Sequence, residues 1–208
     1  WAADIPRELR DDFEAAQPAA FWLPGNYGSG LYAPGAVQVS TNFARTGSQS
    51  LAVTVRQGDM ASPGAGNTMT ERADLDSGHF PWLGQRVEYA FSVLFPKDFP
   101  IVDTRLVFGT CKQADVDRPI LAQRFRNGRH TFTVESRGRR REYKLPKLTL
   151  GQWHDIKYRV EDQTNATGSV EVWFDGQSGG KDSGPTAEPG FKPGFYHKFC
   201  LYRDLCAH

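Results

Sequence analysis

The run Val87-Glu88-Tyr89-Ala90-Phe91-Ser92-Val93-Leu94-Phe95 places Val87, Tyr89, Phe91, Val93 and Phe95 at every second position, and Pro96 ends it. A period of two is that of a strand with one buried face. Residues 50–56, 120–126, Arg129–Ser136, 153–160, Ser169–Phe174 and 195–203 read the same way. Asn127-Gly128 joins two of these runs, which is the strongest short hairpin signal, and Asp175-Gly176 ends another. Only residues 5–16 offer a helical alternative, and that stretch is short. Residues 177–194 are expected as one long loop and 58–67 as a second. Regularly spaced strands with Gly and Pro turns, and no strand-helix-strand rhythm, predict an antiparallel sandwich or jelly roll. A chain of 208 residues is one domain's worth, 1–208, with enough length to bury a core.

Charge is unevenly spread. Residues 105–144 hold 11 Lys and Arg against 4 Asp and Glu, a net +7 in a chain whose total is +1. One segment is therefore built to face an anion, while the protein as a whole is not basic. No run of about 18 apolar residues occurs, so no membrane partner is expected. The aromatic-basic spacing of an RNA-binding sheet is missing, so neither is nucleic acid. Cys111, Cys200 and Cys206 show no spacing suited to zinc, and an odd count allows one disulfide in any of three pairings. The sequence starts at Trp1 with no apolar signal segment, which reads as a processed or trimmed end; a secreted or periplasmic monomer is the expectation. Asn165-Ala166-Thr167 fits the glycosylation sequon, which matters only in a eukaryotic secretory route.

Four segments occur in a telling order: Thr70-Glu71-Arg72-Ala73-Asp74-Leu75, then Leu106-Val107-Phe108-Gly109-Thr110-Cys111-Lys112-Gln113, Trp153-His154-Asp155-Ile156, and Tyr196-His197-Lys198-Phe199-Cys200-Leu201-Tyr202-Arg203. The set, over roughly residues 40–205, resembles the jelly-roll polysaccharide lyases of the alginate, glucuronan and heparin lyase I group. Their patterns are an Arg-x-Glu-Leu strand, a Gln-x-His strand and a Tyr-Phe-Lys-x-Gly-x-Tyr strand. The resemblance implies a β-jelly roll, a concanavalin-like sandwich with a concave cleft, that cleaves a 4-linked uronic-acid polysaccharide by β-elimination. It implies no metal and no cofactor. Such chemistry needs a group to neutralise the substrate carboxylate, a base for the C5 proton and an acid for the O4 leaving group.

By that resemblance Arg72 takes the carboxylate, for which a planar guanidinium is suited. Alternation puts Arg72 and Asp74 on one face and Glu71, Ala73 and Leu75 on the other. The bland reading of Arg72 is an ion pair with Asp74 or Glu135. Tyr202 matches the tyrosine that serves as acid and often as base, with Lys198 and Cys200 on its face. A cation there lowers the work of ionising a phenol. The middle motif departs from the family: Thr110-Cys111-Lys112 stands where Gln-x-His belongs, with Gln113 pointing away unless a bulge shifts the register. The base is then Tyr202 alone, Lys112, or a histidine from elsewhere. Thr110 or Gln113 would assist Arg72, and Arg124, Arg126 and His130 are candidate substrate contacts. His154 shares a face with Ile156, Tyr158 and Val160 and reads as structural; His197 alternates away from Lys198 and Tyr202. The run Arg137-Gly138-Arg139-Arg140-Arg141 reads as an exposed hairpin turn.

Two rivals remain. A glycoside hydrolase needs a well-placed carboxylate pair, and Glu71 faces away from Asp74 and Asp76. A non-catalytic sugar-binding module on the same fold would leave Arg72, Lys198 and Tyr202 unexplained.

Overall fold

The computed structural model describes residues 7–24, 33–59, 70–190 and 194–204; these contain thirteen strands and no helix. Residues 7–16 form no helix, contrary to the helical alternative. Two compact units emerge, one made of Trp1–Gly78 with Lys198–His208, the other of His79–His197.

In the first unit β1 (Trp22–Pro24) pairs with β4 (Thr70–Ser77), which pairs in turn with residues 198–204 of β13 (Phe195–Asp204). A separate hairpin joins β2 (Val37–Ser40) to β3 (Ser50–Val53). All of these pairings are antiparallel. One face of β13 is covered by aromatic rings: Trp22 lies 5.0 Å from Phe199, and Phe13 lies 6.4 Å from it. The predicted loop over 58–67 falls mostly outside the described residues.

The second unit contains two sheets. One has the order β12-β11-β10-β5, built from β5 (Arg86–Leu94), β10 (Trp153–Glu161), β11 (Ser169–Phe174) and β12 (Gln177–Ser183). In the other, β6 (Leu106–Gln113), β7 (Leu121–Arg126), β8 (Arg129–Ser136) and β9 (Arg139–Lys144) lie side by side in chain order. The Asn127-Gly128 turn has φ of 48° and 74°, and Arg137-Gly138 and Asp175-Gly176 repeat the pattern. Two successive positive φ values are those of a type I′ turn, whose twist matches that of the strands it joins. The arginine run is therefore a turn at 137–138 that continues directly into β9.

Residues 177–183, expected within a loop, instead form the edge strand β12. Its Gln-Ser-Gly-Gly-Lys-Asp-Ser sequence has no apolar alternation to reveal it. A register shift at Val172/Trp173 and the φ of 142° at Gly180 let the strand follow β11 where a side chain would be strained. Between the two sheets Phe95 meets Phe99, Phe108 and Phe125 at 4.6, 5.2 and 5.2 Å. Tyr89 meets Tyr158 and His197, both at 5.3 Å.

One acid lies in this core. Asp162 is fully buried, and neither carboxylate oxygen has a hydrogen-bond partner among the described residues. Tyr89 and Cys111, whose hydroxyl and thiol are 3.6 Å apart, are the titratable groups that feel its charge. Burial pushes the Asp162 carboxyl up to about 8. In the unfolded chain the same group ionises near pH ~4, so the folded form holds a proton that the unfolded form has released. Its stabilising contribution is complete below that unfolded value and is lost as pH rises toward 8. Thermal melts should therefore show the midpoint falling by several degrees from about pH 5 to about pH 9, and the fall should flatten in Asp162→Asn.

Candidate active site

The antiparallel register of β4 and β13 sets Arg72 opposite Tyr202, Asp74 opposite Cys200 and Asp76 opposite Lys198. Directly paired residues share a face, so these six side chains project together. The Arg72 guanidinium lies over the Tyr202 ring, 5.3 Å from its centroid. Arg72 also donates through Nε and Nη2 to Asp74 Oδ2, at 3.1 and 2.9 Å. The ion pair with Asp74 is thus present, but it is not a surface pair: the Asp74 side chain is 0% exposed and that of Arg72 only 20%.

Lys198 is enclosed on the same face. Its Nζ lies 3.1 Å from Asp76 Oδ1 and 3.5 Å from Asp74 Oδ2. Burial pulls the ammonium down to about 8, opposed by the neighbouring Cys200. Cys200, between Lys198 and Tyr202, is pushed well above a thiol's usual range by burial and then by Asp74, and stays protonated. The opposite face of the same strands carries a second buried pair. Glu71 accepts from Arg203 Nε at 2.6 Å and from the Gly58 N–H at 2.8 Å. Glu71 is accordingly not available to Asp74 or Asp76 as a hydrolytic partner.

The remaining candidates belong to the second unit. Thr110 and Lys112 share one face of β6; the Thr110 hydroxyl is buried without a partner among the described residues, and Lys112 is half-buried. Register places Arg124, Arg126, Arg129, Arg140 and Lys144 on the same face of β6–β9, with Glu135 and Glu142 as its only acids. Arg124 is buried and donates to Thr133 Oγ1 at 2.9 Å; Arg126 is exposed and pairs with Asp103 at 2.7 Å. The basic segment thus becomes a cationic sheet face.

Two expected substrate contacts are corrected by their surroundings. Gln113 points to the other side and ties down a neighbouring segment, donating to Glu188 O at 3.2 Å and accepting from Glu188 N at 2.7 Å. His130 is 2% exposed, bonded to Gln123 at 2.9 Å, and packed against Phe108 and Phe174. Burial lowers its pKa to about 4, so it is a neutral core residue. His154 is bonded to Asp175 and to the Thr149 N–H, and His197 is buried against Tyr89, Phe91 and Tyr158. Cys111 and Cys200 are buried thiols; Cys206 lies outside the described residues.

A cavity of about 240 Å³ in the second unit is lined by Asp115, Asp117, Glu135 and Glu188 with Arg118. Its net negative lining suits a polyanion poorly. In the first unit Asp74 and Asp76 join Arg72, Lys198 and Tyr202 on one face, and their two-residue spacing from Arg72 is the sequence signal for both. Because Lys198 balances two enclosed carboxylates, Lys198→Ala should destabilise the protein by about 3–5 kcal/mol, measured by urea unfolding.

The sequence matches the family model described as polysaccharide lyase over residues 12–207. Among solved structures, the endo-beta-1,4-glucuronan lyase from the fungus Trichoderma reesei is similar at a TM-score of 0.63 and 14% identity. That match covers 89% of this chain and 92% of the other. The cellulose induced protein Cip1 is similar at 0.54 and 14%, covering 95% and 94%. The globular domain of T. cruzi calreticulin is similar at 0.51 and 12%, covering 89% and 82%. No curated protein sequence matches. At these identities the structural likenesses speak for the fold, an all-β jelly roll. The match over residues 12–207 speaks for more: the chain belongs to the polysaccharide lyase family and is an enzyme acting on polysaccharides.

Proposed function

We propose that this enzyme cleaves a 4-linked, uronic-acid-containing polysaccharide by β-elimination at the Arg72–Tyr202 face. The observation that carries the reading is the register: the guanidinium lies across the one phenol on a face that also holds a buried lysine. Arg72 forks onto the substrate carboxylate and disperses the charge that builds there as the C5 proton leaves. The C5–H electron pair becomes the C4=C5 double bond, and the C4–O4 bond breaks with its electrons passing to O4. Tyr202 protonates that oxygen and, as phenolate, is the base we favour; Lys112 is the alternative base. The Lys198 charge favours the phenolate.

The cationic face of β6–β9 supplies attraction for the acidic chain, with Arg124 and Arg126 as contacts and Thr110 as a hydroxyl donor. β-1,4-Glucuronan is the first substrate to test, since a glucuronan lyase is among the similar structures. A polysaccharide of this kind is met outside the cytoplasm, so we place the enzyme in a secreted or periplasmic setting, acting as a monomer.

Incubation with a panel of polyuronates should raise the ultraviolet absorbance of the unsaturated product on at least one of them. Tyr202→Phe should lower the rate at least ~100-fold, the scale of general acid-base catalysis, and Lys112→Ala far less. Reducing ends without that absorbance would mean hydrolysis, and binding without either product a sugar-binding module. Arg124→Ala should raise KM more at low salt than at high salt, because an electrostatic contact is screened; equal effects would exclude that role.

A further inference from the structure

Asp74 has no role in the elimination itself, yet it is the most enclosed charge on the reactive face. Its Oδ2 receives two N–H groups from one edge of the Arg72 guanidinium, Nε and Nη2. Two bonds from one edge to one oxygen fix which edge of the group faces Asp74, which a single contact would leave free to swing. The same oxygen is approached by Lys198, which is held from its other side by Asp76. The order along the face is therefore Asp76, Lys198, Asp74, Arg72, Tyr202, with charges alternating until the phenol is reached.

We propose that Asp74 is a positioning residue of the lyase reaction. It clamps the Nε–Nη2 edge of Arg72 so that the guanidinium stays across Tyr202. This inference rests on the assignment of Arg72 and Tyr202 above and goes beyond it by making the Arg72–Asp74 ion pair part of the machinery. Arg72, Lys198, Asp74 and Asp76 sum to zero charge, so this face is suited to orienting a carboxylate and not to attracting a polyanion.

Guanidinium rescue tests the clamp. Wild type, Asp74→Asn, Arg72→Ala and the double variant Arg72→Ala/Asp74→Asn are assayed for unsaturated uronate, with thermal melts to verify folding. The double variant removes both members of the pair and guards against an unfolded single variant. Asp74→Asn should lower kcat at least ~10-fold with KM changed less than ~3-fold, since a misaimed guanidinium fails mainly on the charge of the transition state. Free guanidinium ion should restore activity to Arg72→Ala several-fold and should leave the folded double variant unrestored, because the clamp is gone. Rescue of both variants to the same extent overturns the proposal, as does a rise in KM alone. A wild type that makes no unsaturated product from any polyuronate overturns the lyase assignment and this role with it. A wild type that cleaves, with rescue indifferent to Asp74, overturns only the role.

Discussion

The register between β4 and β13 is the constraint on which the proposed reactive face depends. Side chains alternate from face to face along a strand, so a slip of one residue would exchange the two sets completely. Arg72 would then stand opposite Leu201 or Arg203 in place of Tyr202, and Glu71 would lose Arg203. Two cross-strand charge pairings hold in this register: Lys198 with Asp76 on one face and Glu71 with Arg203 on the other. A slip of one residue separates both pairs and leaves buried charges without partners, at several kcal/mol each. Charges that would add little to stability at a surface thus act here as a lock on alignment.

Much of this was legible in the sequence, and the legible part is what alternation can report. The faces of Arg72 with Asp74, of Lys198 with Cys200 and Tyr202, and of His154 with Ile156, Tyr158 and Val160 follow from counting by twos. The Asn127-Gly128 turn follows from its dipeptide. Strand β12 was not legible, because an edge strand rich in Gly and Ser carries no apolar face to alternate. Gln113 and His130 were misjudged for a different reason. Alternation gives the side of a strand, but whether that side meets solvent depends on what packs there. Gln113 meets the Glu188 main chain, and His130 meets Phe108 and Phe174. The pairing across β4 and β13 could not be read either, since register between strands more than a hundred residues apart has no local signature.

The departure of the middle motif from the family pattern has a structural counterpart. Where the family has Gln-x-His, this chain has a hydroxyl and an amine, Thr110 and Lys112, on the cationic face of β6. The histidines nearest in sequence to any strand face, His130, His154 and His197, are all buried and bonded or packed in the core. Two of them are held neutral by burial, at about 4 for His130 and about 3 for His197. The groups that the proposed acid-base roles fall on, a phenol and an amine, ionise on the alkaline side of neutrality in water.

The two units differ in how the chain reaches them. His79–His197 is continuous, and its β6–β9 portion is a meander whose last three strands are joined by two-residue turns, so its contacts form between neighbours in sequence. The other unit joins β4 to a strand that follows more than a hundred residues later. During synthesis, residues 79–197 can begin to fold as they emerge, while β4 waits without its partner. The Arg72–Tyr202 face is the last part of the fold to exist, and a chain that ends before Lys198 lacks it altogether.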